Sequence, residues 1–165
     1  LLDRENTRLL GVRSLAYIRT KETIAPLLSV VRNSDVEIRA IAIEALSSFH
    51  DPRIPPVLVD ALNDIAAKVR KEATIGLSFR SDLREELNLV DLLLLRLYDF
   101  SMDVCLAAAN GLGRLGTDRA AAGLFQVLQS PHTPIILQIE IVLALGRVGT
   151  HASLEYLRQV FDRTD

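Results

Sequence analysis

Tryptophan is absent from the 165 residues, and there is one cysteine and one methionine. Aromatic residues make up only 5% of the chain, so the core has to be built from Leu, Ile, Val and Ala. That palette suits helices packed at close range better than a β-sandwich, which draws on aromatic and β-branched side chains. The lone Cys105 excludes an internal disulfide framework and any cysteine-based zinc site. No run approaches the roughly 18 uncharged apolar residues that a bilayer-spanning helix needs. Charge of one sign is missing too: 19 Lys and Arg against 21 Asp and Glu leave a net charge of −2, where a nucleic-acid binder would carry a basic footprint. What is abundant is apolar surface. At 49% hydrophobic residues the chain can bury a continuous core, which excludes disorder for its bulk.

The apolar residues recur with a long period. The frame Ile38-Arg39-Ala40-Ile41-Ala42-Ile43-Glu44-Ala45-Leu46 returns from Val69, from Val104 and from Leu137, with a fainter copy from Thr7. The anchors at 7, 38, 69, 104 and 137 are spaced 31, 31, 35 and 33 residues apart, which marks a repeat architecture. Within a copy the period is helical: Ile38, Ala42, Ala45, Leu46 and Phe49 share one face. Small residues at mid-helix (Ala42 and Ala45, Ala73 and Gly76, Ala108 and Gly111) permit close approach of a neighbour. A turn and a second apolar run follow each frame, at 24–31, 54–62, 87–97, 120–128 and 154–161. Pro26, Pro55 and Pro56 fall in first turns of these second helices, where a missing N–H costs little. The pattern predicts ten helices in five antiparallel pairs and no strand. It makes residues 1–165 one repeat domain, with copies at about 6–33, 34–63, 64–98, 99–130 and 131–165. Leu1, Leu2, Leu9 and Leu10 at one end, and Leu154, Tyr156 and Phe161 at the other, lack the polar caps that end a solenoid, so a longer parent protein is expected.

The stretch from Ala45 through Asp51-Pro52-Arg53 to Leu58 resembles a HEAT repeat, as do Gly111-Leu112-Gly113-Arg114-Leu115-Gly116 and Ala144-Leu145-Gly146-Arg147-Val148-Gly149. The Ala-Leu-Gly-x-Leu-Gly ending is similar to the short HEAT-like subtype named after phycobilisome lyases. The resemblance implies an all-α fold, a right-handed α–α superhelix (alpha solenoid) of about five hairpins, with first helices convex and second helices lining a concave face. The third copy departs from the pattern. Ser78-Phe79-Arg80-Ser81 lacks the glycines, and a charged insert with Asp82, Arg84, Glu85 and Glu86 predicts a longer, more exposed connection.

Several motifs carry little chemistry once their setting is considered. Gly111-x-Gly113-x-x-Gly116 matches the dinucleotide-binding string, but that string has to follow a strand and open a helix, and here it closes one. Helix-terminating glycines account for it better. His50, His132 and His151 are the only imidazoles, and the first and last sit about 30 Å apart at roughly 10 Å per packed helix layer. HEAT-type iron hydroxylases carry His-Glu pairs, and none occurs here. No catalytic set can be assigned, and no cofactor or metal is expected. Arg8, Arg39 and Arg70 occupy one register position and read as a ladder bonding the turns between repeats, with a ligand-binding row as the rival. Cys105 and Gln138 follow at that position, and Cys105 reads as a small inert side chain.

Acidic residues gather in the turns between repeats: Asp35, Asp60, Asp64, Asp99 and Asp103 form a possible acidic edge. Helix dipoles explain this sorting, and partner steering is the alternative. Aligning second helices on Leu28, Leu58, Leu93, Leu124 and Leu157 puts those leucines in the core. The next position, Ser29, Val59, Leu94, Phe125 and Arg158, is expected toward the concave side, with Leu95 widening the patch. Val59, Leu94, Leu95 and Phe125 are therefore the candidate partner-binding row, unless neighbouring helices cover them. The reading that follows is a non-catalytic protein–protein scaffold, expected in the cytoplasm, with another protein as partner and neither nucleic acid nor membrane insertion. The family resemblance supplies the rival, a phycobilin lyase or isomerase-like module acting on a protein-attached tetrapyrrole. A DNA-binding role like that of HEAT-type glycosylases is disfavoured by the charge.

Overall fold

The structure is a computed structural model that describes residues 4–162, with side chains from residue 6 onward. Leu1 and Leu2, read above as an uncapped end, lie outside the described residues. Ten α-helices and two single 3-10 turns are present, and the described residues contain no strand. The first helices of the five pairs are α1 (Arg4–Ile18), α3 (Val36–Ser47), α5 (Ala67–Ser78), α7 (Met102–Leu115) and α9 (Ile135–Val148). The second helices are α2 (Ile24–Leu28), α4 (Ile54–Ala61), α6 (Leu89–Arg96), α8 (Asp118–Leu128) and α10 (His151–Asp162). The chain divides into two compact units, Leu1–Leu77 and Ser78–Asp165. In the first, α3 packs on α1, α2 and α4; in the second, α7 packs on α6, α8 and α9, and α10 on α8 and α9.

Local chemistry sets the helix ends. The Asp35 carboxylate accepts the Glu37 N–H at 2.8 Å and caps α3, and the Thr117 hydroxyl accepts the Ala120 N–H at 3.1 Å and caps α8. Gly116 (φ 63°) and Gly149 (φ 67°) end α7 and α9 in the left-handed conformation. The dinucleotide-like string thus closes a helix, and the Gly116 amide is already bonded to the Leu112 carbonyl at 3.3 Å. Two second helices begin earlier than their apolar runs, α8 at Asp118 and α10 at His151, because capping Thr residues start them ahead of the first buried side chain. Helix α6 is shorter than its run: Asn88 is left-handed (φ 49°), so Leu87 stays in the preceding turn. The third connection, residues 79–88, is long as expected, with Ser81, Asp82, Glu85 and Glu86 exposed. It is nonetheless anchored. Buried Arg80 pairs with Asp82 at 2.9 Å, and Arg84 donates to the Leu115 carbonyl at 3.2 Å.

Successive first helices meet at one register position. A Cβ added to Gly76 would lie 2.6 Å from the Ser47 Cβ, and one added to Gly111 would lie 2.7 Å from the Ser78 Cβ. One repeat later the roles invert, and a Cβ on Gly113 would lie 3.1 Å from the Ala144 Cα. In each crossing one partner is glycine and the other is small, which lets the backbones approach within the reach of aliphatic neighbours. The consequence is testable by thermal melts. Gly76→Ala adds a helix-favouring methyl worth about 1 kcal/mol, yet overpacking of about 1–3 kcal/mol should outweigh it and lower Tm. Adding Ser47→Gly should recover most of the loss, because the Gly113–Ala144 crossing already uses that arrangement. A single variant melting higher than the parent would show that the helices are not in close contact.

Candidate functional site

The candidate row divides once the second helices are in place. Leu94 of α6 is half-buried, its side chain filling the space over Gly123, where an added Cβ would lie 2.2 Å from Leu94 Cδ2. Phe125 of α8 is only 7% exposed, because Tyr156 of α10 stacks on its ring with centroids 4.4 Å apart and planes at 15°. Both positions lie where the following second helix rests, which is the covered alternative of the sequence reading. Val59 on α4 is half-buried. Leu95 is turned about 100° from Leu94 by the helical period and stands 61% exposed, with Tyr98 one turn on at 67%. Sequence reasoning missed Tyr98, which lies just past the end of α6; its signal was the i, i+3 spacing from Leu95.

The five acidic residues have different occupations. Asp35 caps α3, as described. Asp60 and Arg32 form an exposed pair at 3.4 Å. Asp64 receives Arg39 Nε and Nη2 at 2.8 and 2.9 Å and also accepts the Ala66 N–H. The Asp99 carboxylate accepts the Ser101 N–H at 2.8 Å, capping the turn into α7. Asp103, in the first turn of α7, is exposed. The edge is therefore in large part a set of caps and internal pairs, with Asp60 and Asp103 turned to solvent.

The register position of Arg39 performs the same task in four copies. Arg39 Nη1 donates to the Asn33 carbonyl and Arg70 Nη1 to the Asp64 carbonyl, both at 2.8 Å. The Cys105 thiol donates to the Asp99 carbonyl at 3.2 Å, and Gln138 Nε2 to the Thr133 carbonyl at 2.7 Å. Each side chain reaches back five or six residues to a carbonyl of the turn that precedes its helix, satisfying an acceptor that the fold would otherwise bury. This is the structural ladder of the sequence reading, and it extends past the arginines. Arg8 stands exposed at the ladder's first position.

On the first-helix face of the Leu1–Leu77 unit lies an open depression of about 600 Å³ with Tyr17, Ile41, Glu44 and Glu72 on its walls. Burial raises the Glu72 carboxyl above its ordinary value, and the neighbouring Glu44 charge adds to the rise. Lys68 and Glu37 pair at its rim at 2.5 Å. Sequence reasoning passed over these carboxylates, which share the depression with Arg13, Arg19 and Lys68. His50, His132 and His151 are all exposed, and among the described residues no three His, Cys, Asp or Glu side chains group as metal ligands.

Two measurements probe the ladder. Burial pushes the Asp64 carboxyl up, but the Arg39 hydrogen bonds, the Ala66 N–H and the two arginine charges outweigh it and hold it below the ordinary range. A depressed folded-state value means stability that is present above about pH 4 and is lost as pH falls through the folded value. Urea unfolding should show this acid limb. Arg39→Leu should flatten it and cost about 3 kcal/mol, since it strands a largely buried carboxylate; an unchanged limb would remove Asp64 from the account. Cys105 is buried, and burial followed by the Asp99 charge raises its thiol. Ellman's reagent should therefore label the native protein far more slowly than the urea-unfolded chain; equal rates would place the thiol at the surface.

The sequence matches the family described as HEAT repeats over residues 2–78 and 90–165. Among solved structures, the complex of CpcE and CpcF of phycocyanin lyase from Nostoc sp. PCC7120 is similar, with TM-score 0.67 and 24% identity over 87% of this chain and 91% of that one. An engineered protein gives TM-score 0.63 at 20% identity over 96% of this chain and 80% of its own. A designed armadillo repeat protein in complex with the peptide (KR)4 gives 0.65 at 17% identity over 96% and 82%. No curated protein matches significantly.

Proposed function

This chain belongs to the HEAT-repeat family, and we propose that it serves as a non-catalytic scaffold that binds another protein through the second-helix face around α6. The observation that carries this reading is the pair Leu95 and Tyr98, two large side chains held mostly in water on one face, while Leu94 beside them is packed. Exposed apolar and aromatic groups on a rigid helix are what a partner's side chains bury, and tyrosine is enriched at such contacts. Phe100, two residues on, is fully exposed too, and Asp103 is a solvent-facing carboxylate at the start of α7. The partner segment that suits this surface is apolar with a flanking basic residue. Of the original row, Leu95 is the direct contact. Leu94 and Phe125 are taken up by packing within the same unit, against Gly123 and Tyr156, and Val59 and the exposed Asp60 belong to the other unit. Among the described residues no helix is long and apolar enough to cross a membrane, and a single buried thiol suits the reducing cytoplasm.

The neighbour that belongs to a phycocyanin lyase supplies the rival reading, in which the chain handles a protein-attached bilin. The depression lined by Glu44 and Glu72 also carries Arg13, Arg19 and Lys68, so its charge favours neither reading, and the scaffold reading is preferred on the exposed Leu95 and Tyr98. The decisive comparison uses the parent protein and a Leu95→Asp, Tyr98→Ser variant as baits against the source cell, with quantitative mass spectrometry of what each retains. Both side chains are exposed, so Tm should hold while capture of the specific partner falls about tenfold or more. Equal capture removes this face from the site. A bilin added to purified protein should show no red-shifted, protein-retained band; such a band would replace the scaffold reading with the lyase one.

A further inference from the structure

Within the Ser78–Asp165 unit one guanidinium is held in place with no acid to answer it. Arg114, in the last turn of α7, lies over the Phe79 ring at 4.2 Å from its centroid. Its Nη2 donates to the Ser78 hydroxyl at 2.9 Å, and Ser78 is buried at the end of α5. Stacking on an aromatic face and one hydrogen bond fix the plane of the group and leave most of its N–H donors free. Among the described residues Arg114 forms no ion pair.

Arg147 of α9 reaches the same place from the other side. Its Nε would lie 3.2 Å from a Cβ added to Gly113, so it crosses α7 where that helix has no side chain. Arg147 pairs with Glu140, and the same carboxylate oxygen accepts Asn110 Nδ2 at 3.1 Å. Glu140 is therefore committed to two donors of its own unit. Burial lowers the Arg114 value from its ordinary range, the Arg147 charge lowers it further, and Glu140 offsets only part of this. Two guanidinium groups beside one carboxylate leave one positive charge unanswered. A further carboxylate matches that charge and offers two oxygens to a fork of donors, whereas a phosphate dianion exceeds it. Phe79 beside it is 64% exposed, which suits an apolar group next to the acid.

We propose that Arg114 and Arg147, with Phe79, form a binding site for a carboxylate flanked by apolar residues, supplied by an acidic side chain or a C-terminus of a partner chain. This site goes beyond the scaffold reading. It is carried by first helices, apart from the Leu95–Tyr98 face on α6, and either can fail alone.

Titrations followed by the arginine Nε–H signals of isotope-labelled protein use acetyl-Leu-Glu-Leu-amide, acetyl-Leu-Leu with a free C-terminus, acetyl-Leu-Gln-Leu-amide and inorganic phosphate. A carboxylate peptide should shift the Arg114 and Arg147 signals saturably, and the tighter of the two identifies the source. The glutamine peptide should leave both signals in place, and phosphate should bind more weakly than the carboxylate. Arg114→Gln, read at Arg147, should weaken binding about tenfold or more. Phe79→Leu should also weaken it with every charge kept, because the ring no longer holds Arg114. Glu140→Gln leaves Arg147 an acceptor and removes the opposing charge, so binding should tighten about threefold, a gain that loss of fold cannot mimic. The proposal is overturned by no saturable shift with either carboxylate, equal shifts by the glutamine peptide, or tighter binding of phosphate. It is equally overturned if Arg114→Gln binds like the parent or Glu140→Gln gives no gain. The Leu95→Asp, Tyr98→Ser variant should bind the peptides like the parent, so the two faces are read separately.

Discussion

Close approach of consecutive first helices is the constraint on which the rest of this structure depends. Two helical backbones can come near only where the side chains between them are small, and here a glycine meets Ser or Ala at every crossing for which the contact is seen. With the spacing set by those pairs, the larger residues beside them are fully buried within each unit, Ile38 and Leu46 in the first and Leu112 and Leu145 in the second. A methylene misplaced at a crossing would separate the helices along their whole length. That is why glycine sits inside helices here in spite of its cost to helix stability.

Close stacking half-buries carbonyls of the turns between repeats, and the ladder position answers that need. Arg39, Arg70, Cys105 and Gln138 have little chemistry in common beyond a polar hydrogen and a suitable reach, yet each delivers a donor to the same kind of carbonyl. Arg39 adds a paired carboxylate and so links one turn to the next. The shorter Cys105 bonds only the carbonyl and sits deeper. Substitution down the ladder thus follows the geometry of an acceptor that has to be satisfied, rather than charge.

The surfaces left over are where the proposed function resides. Leu95 and Tyr98 face solvent because they follow Leu94, which the helical period turns inward under the next repeat. Such a surface suits a foreign side chain.

The five-fold repeat, the helix pairs and their approximate limits were legible in the sequence, because period, capping Thr and Asp residues, prolines and terminal glycines are local signals that each act within a few residues. The lineage of the fold was legible for the same reason. Which residue of a second helix would be covered was not. Leu94, Leu95 and Phe125 are all apolar and adjacent in register, and one residue of rotation, about 100°, decides between core and surface. That rotation is set by how Gly123 and Tyr156 seat against the preceding helix, a contact between residues some thirty positions apart that no local pattern encodes. The sequence by itself determined that this protein is a stack of helical hairpins built on small-residue crossings. Only tertiary packing decided which apolar side chains the stack consumes and which it leaves facing water.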